Sequence, residues 1–458
     1  MTYMEDALLP SDVHLRAIAK QIYQTTVGLP IVSPHGHVDL SILKNNKPFA
    51  NSSELFIFFD HYVTRALHAM GIPLEKIRSG ADPIEAWRIF SSYWHIFAGT
   101  ASGYWLKHEL STLFGIDETP SGKNADRIYQ QISDALTHQE FLPQTLFTRF
   151  KITFLATTDD PTDDVSGHKN LSAQFHSRIV PTYRPDKYIQ VNNLNFKENV
   201  NALIHSAELS EITYQNFLAA FRITRGRFIE AGAVSIDIGI ESPYTCRLSE
   251  EEATSIFSDV IVGKSTDHKM RDLSGHLLYS LIEMSCDDGL VVTLHAGVLR
   301  NHHQSTFEKF GPDNGSDLPV KVEFVRNLQP ILKDYGTHPN LNLIIFCVDE
   351  SVIEREIAPL AGFYPSVYVG TPWWFIDAPY AMQRFRESTI ETVGFYKGSG
   401  FIDDTRAFLS IPARHDMARR VDAGVLAKLV DTKRITLEEA QSIAVDLVTT
   451  IPSRAFKL

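Results

Sequence analysis

Cysteine is scarce in this chain: Cys246, Cys286 and Cys347 are the only three, and no pair has Cys-x-x-Cys spacing. No disulfide framework follows from such a set, which fits reduced, partly buried thiols in a reducing compartment. Long apolar runs are absent as well: nothing approaches the roughly 18 residues that a membrane-spanning helix needs. The stretch Met1-Thr-Tyr-Met-Glu-Asp6 has neither the basic start nor the apolar run of a secretory signal, so a cytoplasmic protein without a membrane partner is expected. Positive charge is in deficit too. With 43 Lys and Arg against 55 Asp and Glu the net charge is -12, which argues against nucleic acid or an anionic membrane surface as a partner. An anionic substrate would have to be held by local arginines. No internal repeat and no low-complexity segment interrupts the chain.

What the sequence does have is enough apolar material, 44% of 458 residues, to bury a large core in either one barrel with an insertion or two domains. Ser11-Asp12 can cap a helix whose apolar positions Leu15, Ile18, Ala19 and Ile22 follow helical spacing, with Gly28-Leu29-Pro30 to end it. Ile31-Val32 opens a first strand. From about 44 to 150 the pattern turns to long, aromatic-rich, helix-like segments at 56–70, 85–97 and 126–135, which predicts a helical subdomain inserted after that strand. Beyond it, short β-branched runs at 152–156, 179–182, 234–238, 290–294, 343–347 and 366–369, with a weaker one at 400–402, alternate with amphipathic stretches. With the first strand they make about eight, as in a distorted (β/α)8 TIM-like barrel of α/β class. The expected division is 1–43 for the first helix and strand, 44–150 for the insertion and 151–458 for the rest of the barrel with carboxy-terminal helices.

Reactive residues of such a barrel belong just after its strands. His35-Gly36-His37 follows the first, and two imidazoles two apart on extended backbone face the same side, where they can share one metal ion. Alone, a His-x-His is more often structural. Asp403-Asp404-Thr405-Arg406, after the last run, puts a carboxylate and a guanidinium two apart; by itself it reads as a surface turn. Together, His35, His37 and Asp404 would form an N,N,O site with positions left open, the arrangement of a catalytic ion rather than a structural one. His295, after the fifth run, is a further ligand or substrate contact if it is not a buried histidine bonded to backbone, and Arg300 follows it. His302 and His303 read as solvent-facing.

Asp60-His61-Tyr62 sets a proton donor and acceptor side by side, or makes a packing contact between helices. Arg184, after the third run, can clamp a carboxylate or form a surface salt bridge. Thr157-Thr-Asp-Asp-Pro161, after the second run, reads as a cap for the next helix. Trp373-Trp374-Phe375 can wall a sugar pocket or fill the core. The sixth run offers Cys347 and Asp349 but no histidine, and the fourth offers no lysine, which argues for one divalent ion rather than two. The polar loop 301–319 is long for a connection and suits either a lid over a site or plain surface.

Taken in order, His35-Gly-His37, Asp60-His-Tyr62-x-x-Arg65, Thr157-Thr-Asp-Asp-Pro161, Arg184-Pro-Asp-Lys187, Leu294-His-x-Gly297 with Arg300-Asn301, Gly311-Pro-Asp-x-Gly315, Trp373-Trp-Phe-x-Asp377 and Asp404-Thr-Arg406 through Arg414-His415 resemble the uronate isomerase (glucuronate isomerase) family of the amidohydrolase superfamily. The resemblance implies an aldose-ketose isomerase of D-glucuronate and D-galacturonate in hexuronate catabolism. It also implies a zinc-type ion on His35, His37 and Asp404, with His61, Tyr62, Arg184, His295 and Arg406 facing a small-molecule hexuronate. Asp404, Tyr62, His61 and Arg406 are the expected catalytic residues; Arg184, His295, Arg300, Trp373 and Trp374 are the expected substrate contacts. One departure stands out: Asp237-Ile238-Gly239 occurs where the family pattern has Asp-His-Gly. A hydrolase of a sugar-acid lactone or ester is the alternative, a non-catalytic sugar-acid binder a third reading, and a homo-oligomer remains open.

Overall fold

The structure, a computed structural model, describes residues 4–458; the first three residues of the amino-terminal stretch lie outside it. Nine strands are present among the described residues. β1 (Ile31–Ser33), β2 (Ile152–Ala156) and β3 (Arg178–Val180) form one parallel sheet in that order. β4 (Ser235–Ile240) and β5 (Val291–Ala296) begin a second; β6 (Val298–Leu299) and β7 (Leu318–Pro319) make a small antiparallel pair beside it; β8 (Leu343–Cys347) and β9 (Val367–Val369) complete the second sheet, whose order is β4-β5-β8-β9 and whose pairs are all parallel. Every residue of β5 and β8 is buried, the expected state of a parallel strand covered on both faces.

The two sheets meet at Tyr183. Its N–H donates to the Ser235 carbonyl (3.2 Å) and its own carbonyl accepts from the Asp237 N–H (2.9 Å). Past β9, Val369 bridges Gly398, and the Ser399 N–H donates to the Val369 carbonyl at 3.0 Å. The strand expected at 400–402 does not form. Gly400 takes φ +72°, in the left-handed region, and that turn breaks the extended run after the single bridge.

Between β1 and β2 the chain is helical. The expected segment at 56–70 is divided: a π-turn at Glu54–Phe58 gives way to a helix at His61–Ala69, started by Asp60, whose Oδ1 accepts from the N–H groups of Tyr62 (2.8 Å) and Val63 (3.3 Å). Helices Pro83–Ser92, Ala101–Phe114 and Ala125–Leu136 follow. Their aromatic residues Phe56, Trp87, Phe90 and Phe114 join Ile31, Ile152, Leu155 and Ile179 of the first sheet in one apolar cluster. That shared core holds the His61 helix against the ends of β1 to β3. At the amino end, Asp12 caps the helix Val13–Gln24 by accepting from the Leu15 N–H at 2.9 Å, and the helix stops short of Gly28. No helix of the described residues is long and apolar enough to cross a membrane.

Candidate active site

Two imidazoles from the end of β1 and one carboxylate from near the other end of the chain converge. Asp404 Oδ1 lies 3.2 Å from His35 Nε2 and 2.9 Å from His37 Nε2. At those distances Oδ1 nonetheless accepts no hydrogen bond of adequate angle, and His35 Nδ1 is likewise buried without a partner. Nitrogen and oxygen atoms that close, aimed at one another's vicinity but not bonded, are what a shared cation between them would produce. Burial lowers His37 to about 4 against the pull of Asp404, which leaves the neutral imidazole a ligand requires. Burial opposes the ionised form of Asp404, but His35 and His37 hold it well below the ordinary carboxylate value. Burial likewise opposes the charged form of His35, yet Asp237 and Asp404 raise it, so the cluster as a whole attracts positive charge. The donor set therefore fits one divalent ion.

The backbone around this cluster is unusual. Asp404 has φ +43°, sparsely populated for a residue with a side chain and better tolerated by Asp than by most. A Cβ on Gly36 would stand 3.2 Å from Asp403 Oδ1, so the glycine allows the turn to lie against that buried carboxylate. Thr158 Oγ1 donates to the Gly36 carbonyl at 2.7 Å, giving the Thr157-Thr-Asp-Asp stretch a part in holding the histidine turn. Asp403 itself pairs with His415 at 3.1 Å.

A cavity of about 50 Å³ is lined by His37, His61, Tyr62, Arg184, Arg300, Trp373, Trp374, Asp404 and Arg406, together with Asp313, Gly315 and Asp317 of the long loop. Nine of the expected site residues thus meet. Burial, then Arg406, lowers His61 to about 3, so its imidazole is neutral at any physiological pH. Burial raises Tyr62 above the usual phenol value, with Arg414 opposing, so its proton stays on. Each arginine is already engaged: Arg184 with Asp186 (2.9 Å) and Asp237 (3.3 Å), Arg300 with Asp317 (3.0 Å), Arg406 with Asp313 (2.9 Å).

Two expected residues sit outside this lining. His35 is beneath it, 1% exposed. His295 stacks on His35 (ring centroids 4.7 Å) and Phe346 (4.4 Å), and it lines an adjoining cavity of about 700 Å³ along with Arg300, Tyr244 and Arg271. Its Nδ1–H donates to Asp237 Oδ1 at 2.8 Å, leaving a buried Nε2 without a partner. Register accounts for Ile238: it pairs with Leu294 in the apolar core, and successive strand residues face opposite ways, so Asp237 rather than Ile238 points toward the site. His302 and His303 are exposed, as expected. Sequence reasoning gave no role to Asp237, Asp313, Asp317, Asp377 or Arg414, although all but Asp317 stand in the motifs quoted above.

The glucuronate isomerase family profile matches residues 4–454. The uronate isomerase of Corynebacterium efficiens is 45% identical over 460 residues, 99% of this chain and 98% of that protein. That of Cutibacterium acnes is 44% identical over 466 residues, 100% and 99% of the two chains. The crystal structure of glucuronate isomerase from Caulobacter crescentus is similar with a TM-score of 0.96 at 39% identity, covering 100% of this chain and 97% of that one. With a full-length match in sequence and in fold, the chain belongs to the glucuronate isomerase family.

Proposed function

We propose that this isomerase interconverts D-glucuronate with D-fructuronate, and D-galacturonate with D-tagaturonate, by moving a proton between C2 and C1 through a cis-enediol. One observation carries the reading beyond family membership: Arg184, Arg300 and Arg406 converge on the cavity that holds His37 and Asp404, in a protein of net charge -12. A uronate brings a carboxylate that such a field would otherwise repel, and guanidinium groups hold it in a fixed orientation.

A zinc-type ion on His35, His37 and Asp404 would supply a Lewis acid beside the sugar's oxygens. The remaining work falls to side chains. C2–H is a feeble acid until the neighbouring carbonyl is polarised, so the donors around the developing oxyanion matter most. Tyr62, with its proton retained, and neutral His61 are hydrogen-bond donors for that role. Asp404, ionised at neutral pH and with Oδ1 facing the two histidines, has its other oxygen for proton exchange, first in ring opening and then between the two carbons. Arg406 and Arg184 neutralise substrate charge. Trp373 and Trp374 exclude water from one wall.

The fold reading extends likewise. We infer a distorted (β/α)8 barrel in which the segment after Gly398 stands as the eighth stave, supported by the Tyr183 and Gly398 bridges and by the His37–Thr405 main-chain bond of 2.9 Å. Residues 44–150 are its inserted helical subdomain. Three unpaired cysteines are consistent with a cytoplasmic location. The test is purified protein with D-glucuronate or D-galacturonate, following the keto product beside a panel of lactones and esters. Ketose formation is expected; hydrolysis without ketose formation would overturn the reading.

A further inference from the structure

Arg414 is 1% exposed and pairs with Asp377, itself 5% exposed, at 2.9 Å. A buried ion pair of this kind is weak evidence for stability, because desolvating both charges offsets their attraction and apolar residues of like volume often serve as well. Neither side chain lines the catalytic cavity. Their contacts point to a different task. The Arg414 guanidinium lies 3.6 Å from the Trp105 ring centroid and 5.2 Å from that of Tyr62. The same Nη1 that meets Asp377 also reaches the Asp403 carbonyl at 3.3 Å, and Nε donates to Ser410 Oγ at 3.2 Å. That carbonyl belongs to the peptide plane whose rotation sets φ of Asp404, the residue held at +43°. One side chain therefore touches the face of Tyr62, which comes from the helix His61–Ala69, and the peptide that aims Asp404, which comes from the far end of the chain.

We propose that Arg414, held in place by Asp377, is a positioning residue that fixes Tyr62 and Asp404 relative to each other across the pocket. The inference rests on the reading of those two groups under the proposed function. Sub-ångström misplacement of reacting groups is felt in turnover more than in binding, so the signature is a loss of kcat with KM nearly unchanged.

The test uses Arg414→Met, Arg414→Lys, Asp377→Asn, Tyr62→Phe and the double variant Tyr62→Phe/Arg414→Met, assayed with D-glucuronate. Arg414→Met is expected to lose roughly 30- to 100-fold in kcat with KM within about threefold, and Arg414→Lys to recover part of it. In the Tyr62→Phe background the further cost of Arg414→Met should shrink to about threefold or less, since coupled residues do not add. Fully multiplicative losses, or a wild-type kcat in Arg414→Met, would overturn the proposal. If Arg414→Met does not fold, Arg414→Lys and Asp377→Asn decide: wild-type kcat in both overturns it. Should the wild-type protein convert no hexuronate, the proposed function fails on its own, and a crystal structure of Arg414→Lys decides the positioning role: Tyr62 and Asp404 displaced supports it, both unmoved refutes it.

Discussion

The His37 backbone N–H donates to the Thr405 carbonyl at 2.9 Å, so the second histidine and the residue after Asp404 are tied by main chain, independently of their side chains. The site should therefore keep its backbone when the carboxylate is altered. Asp404→Asn is expected to melt within a few degrees of the wild type while kcat falls by roughly 10²- to 10⁴-fold, the usual worth of a positioned proton-transfer group. Ketose formation from D-glucuronate, with a thermal melt alongside, measures both; an unaltered rate would remove Asp404 from the mechanism.

Removing the ion is a separate experiment. Dialysis against a strong chelator should abolish turnover, and stoichiometric zinc should restore it, with one metal per chain by elemental analysis. His37→Ala should fail to regain activity at the same zinc concentration. Full activity in protein with no detectable divalent metal would sink the ion's role.

The arginines make a prediction about specificity. Arg406 and Arg300 are held by Asp313 and Asp317, loop carboxylates in the cavity proposed to take the substrate's carboxylate. Arg406→Met or Arg184→Met should raise KM for D-glucuronate by roughly 10- to 100-fold, as expected for losing a hydrogen bond to a charged group. Asp313→Ala should do the opposite and lower KM, because it frees Arg406. A KM unmoved in all three variants would show that the carboxylate is bound elsewhere.

Stability should respond to pH through Glu109, a 4% exposed residue of the helix Ala101–Phe114. Burial, and then Asp60, pushes it from 4.5 up to about 8. Between those values the unfolded chain releases a proton that the folded chain retains, so stability is lost as pH rises through that window. Glu109→Gln removes the loss. The variant and the wild type should melt together near pH 4.5, and the variant should be more stable by about a few kcal/mol at pH 8. Parallel melting curves at all pH values would place the ionised carboxylate in the native state.

Much of the fold could be read from the chain because buried parallel strands are short β-branched runs, and seven of these stand where expected, from Ile31 to Val369. The eighth could not be read: Gly400 looks like strand punctuation but is a left-handed turn, and no propensity distinguishes the two. The pair Val298–Leu299 with Leu318–Pro319 also escaped notice, being two residues long and including a proline. At the site, the histidine turn, Asp404 and the arginines were visible as motifs with a chemical purpose. Their counter-ions were not. Asp237, Asp313 and Asp377 act through distances that only the folded chain creates, and Ile238 looked like a departure until the strand's alternation turned it into the core.

The junction at Tyr183 joins two sheets by two main-chain bonds, while the Arg184–Asp237 ion pair spans the same line one residue further on. Under the proposed function, Arg184 turning toward an incoming acid would loosen its hold on Asp237, and with it one of the few ties across the seam. Occupancy of the pocket and the closing of the two half-sheets would then compete. Amide exchange at Tyr183 and Asp237 should speed up, not slow down, when a uronate is bound.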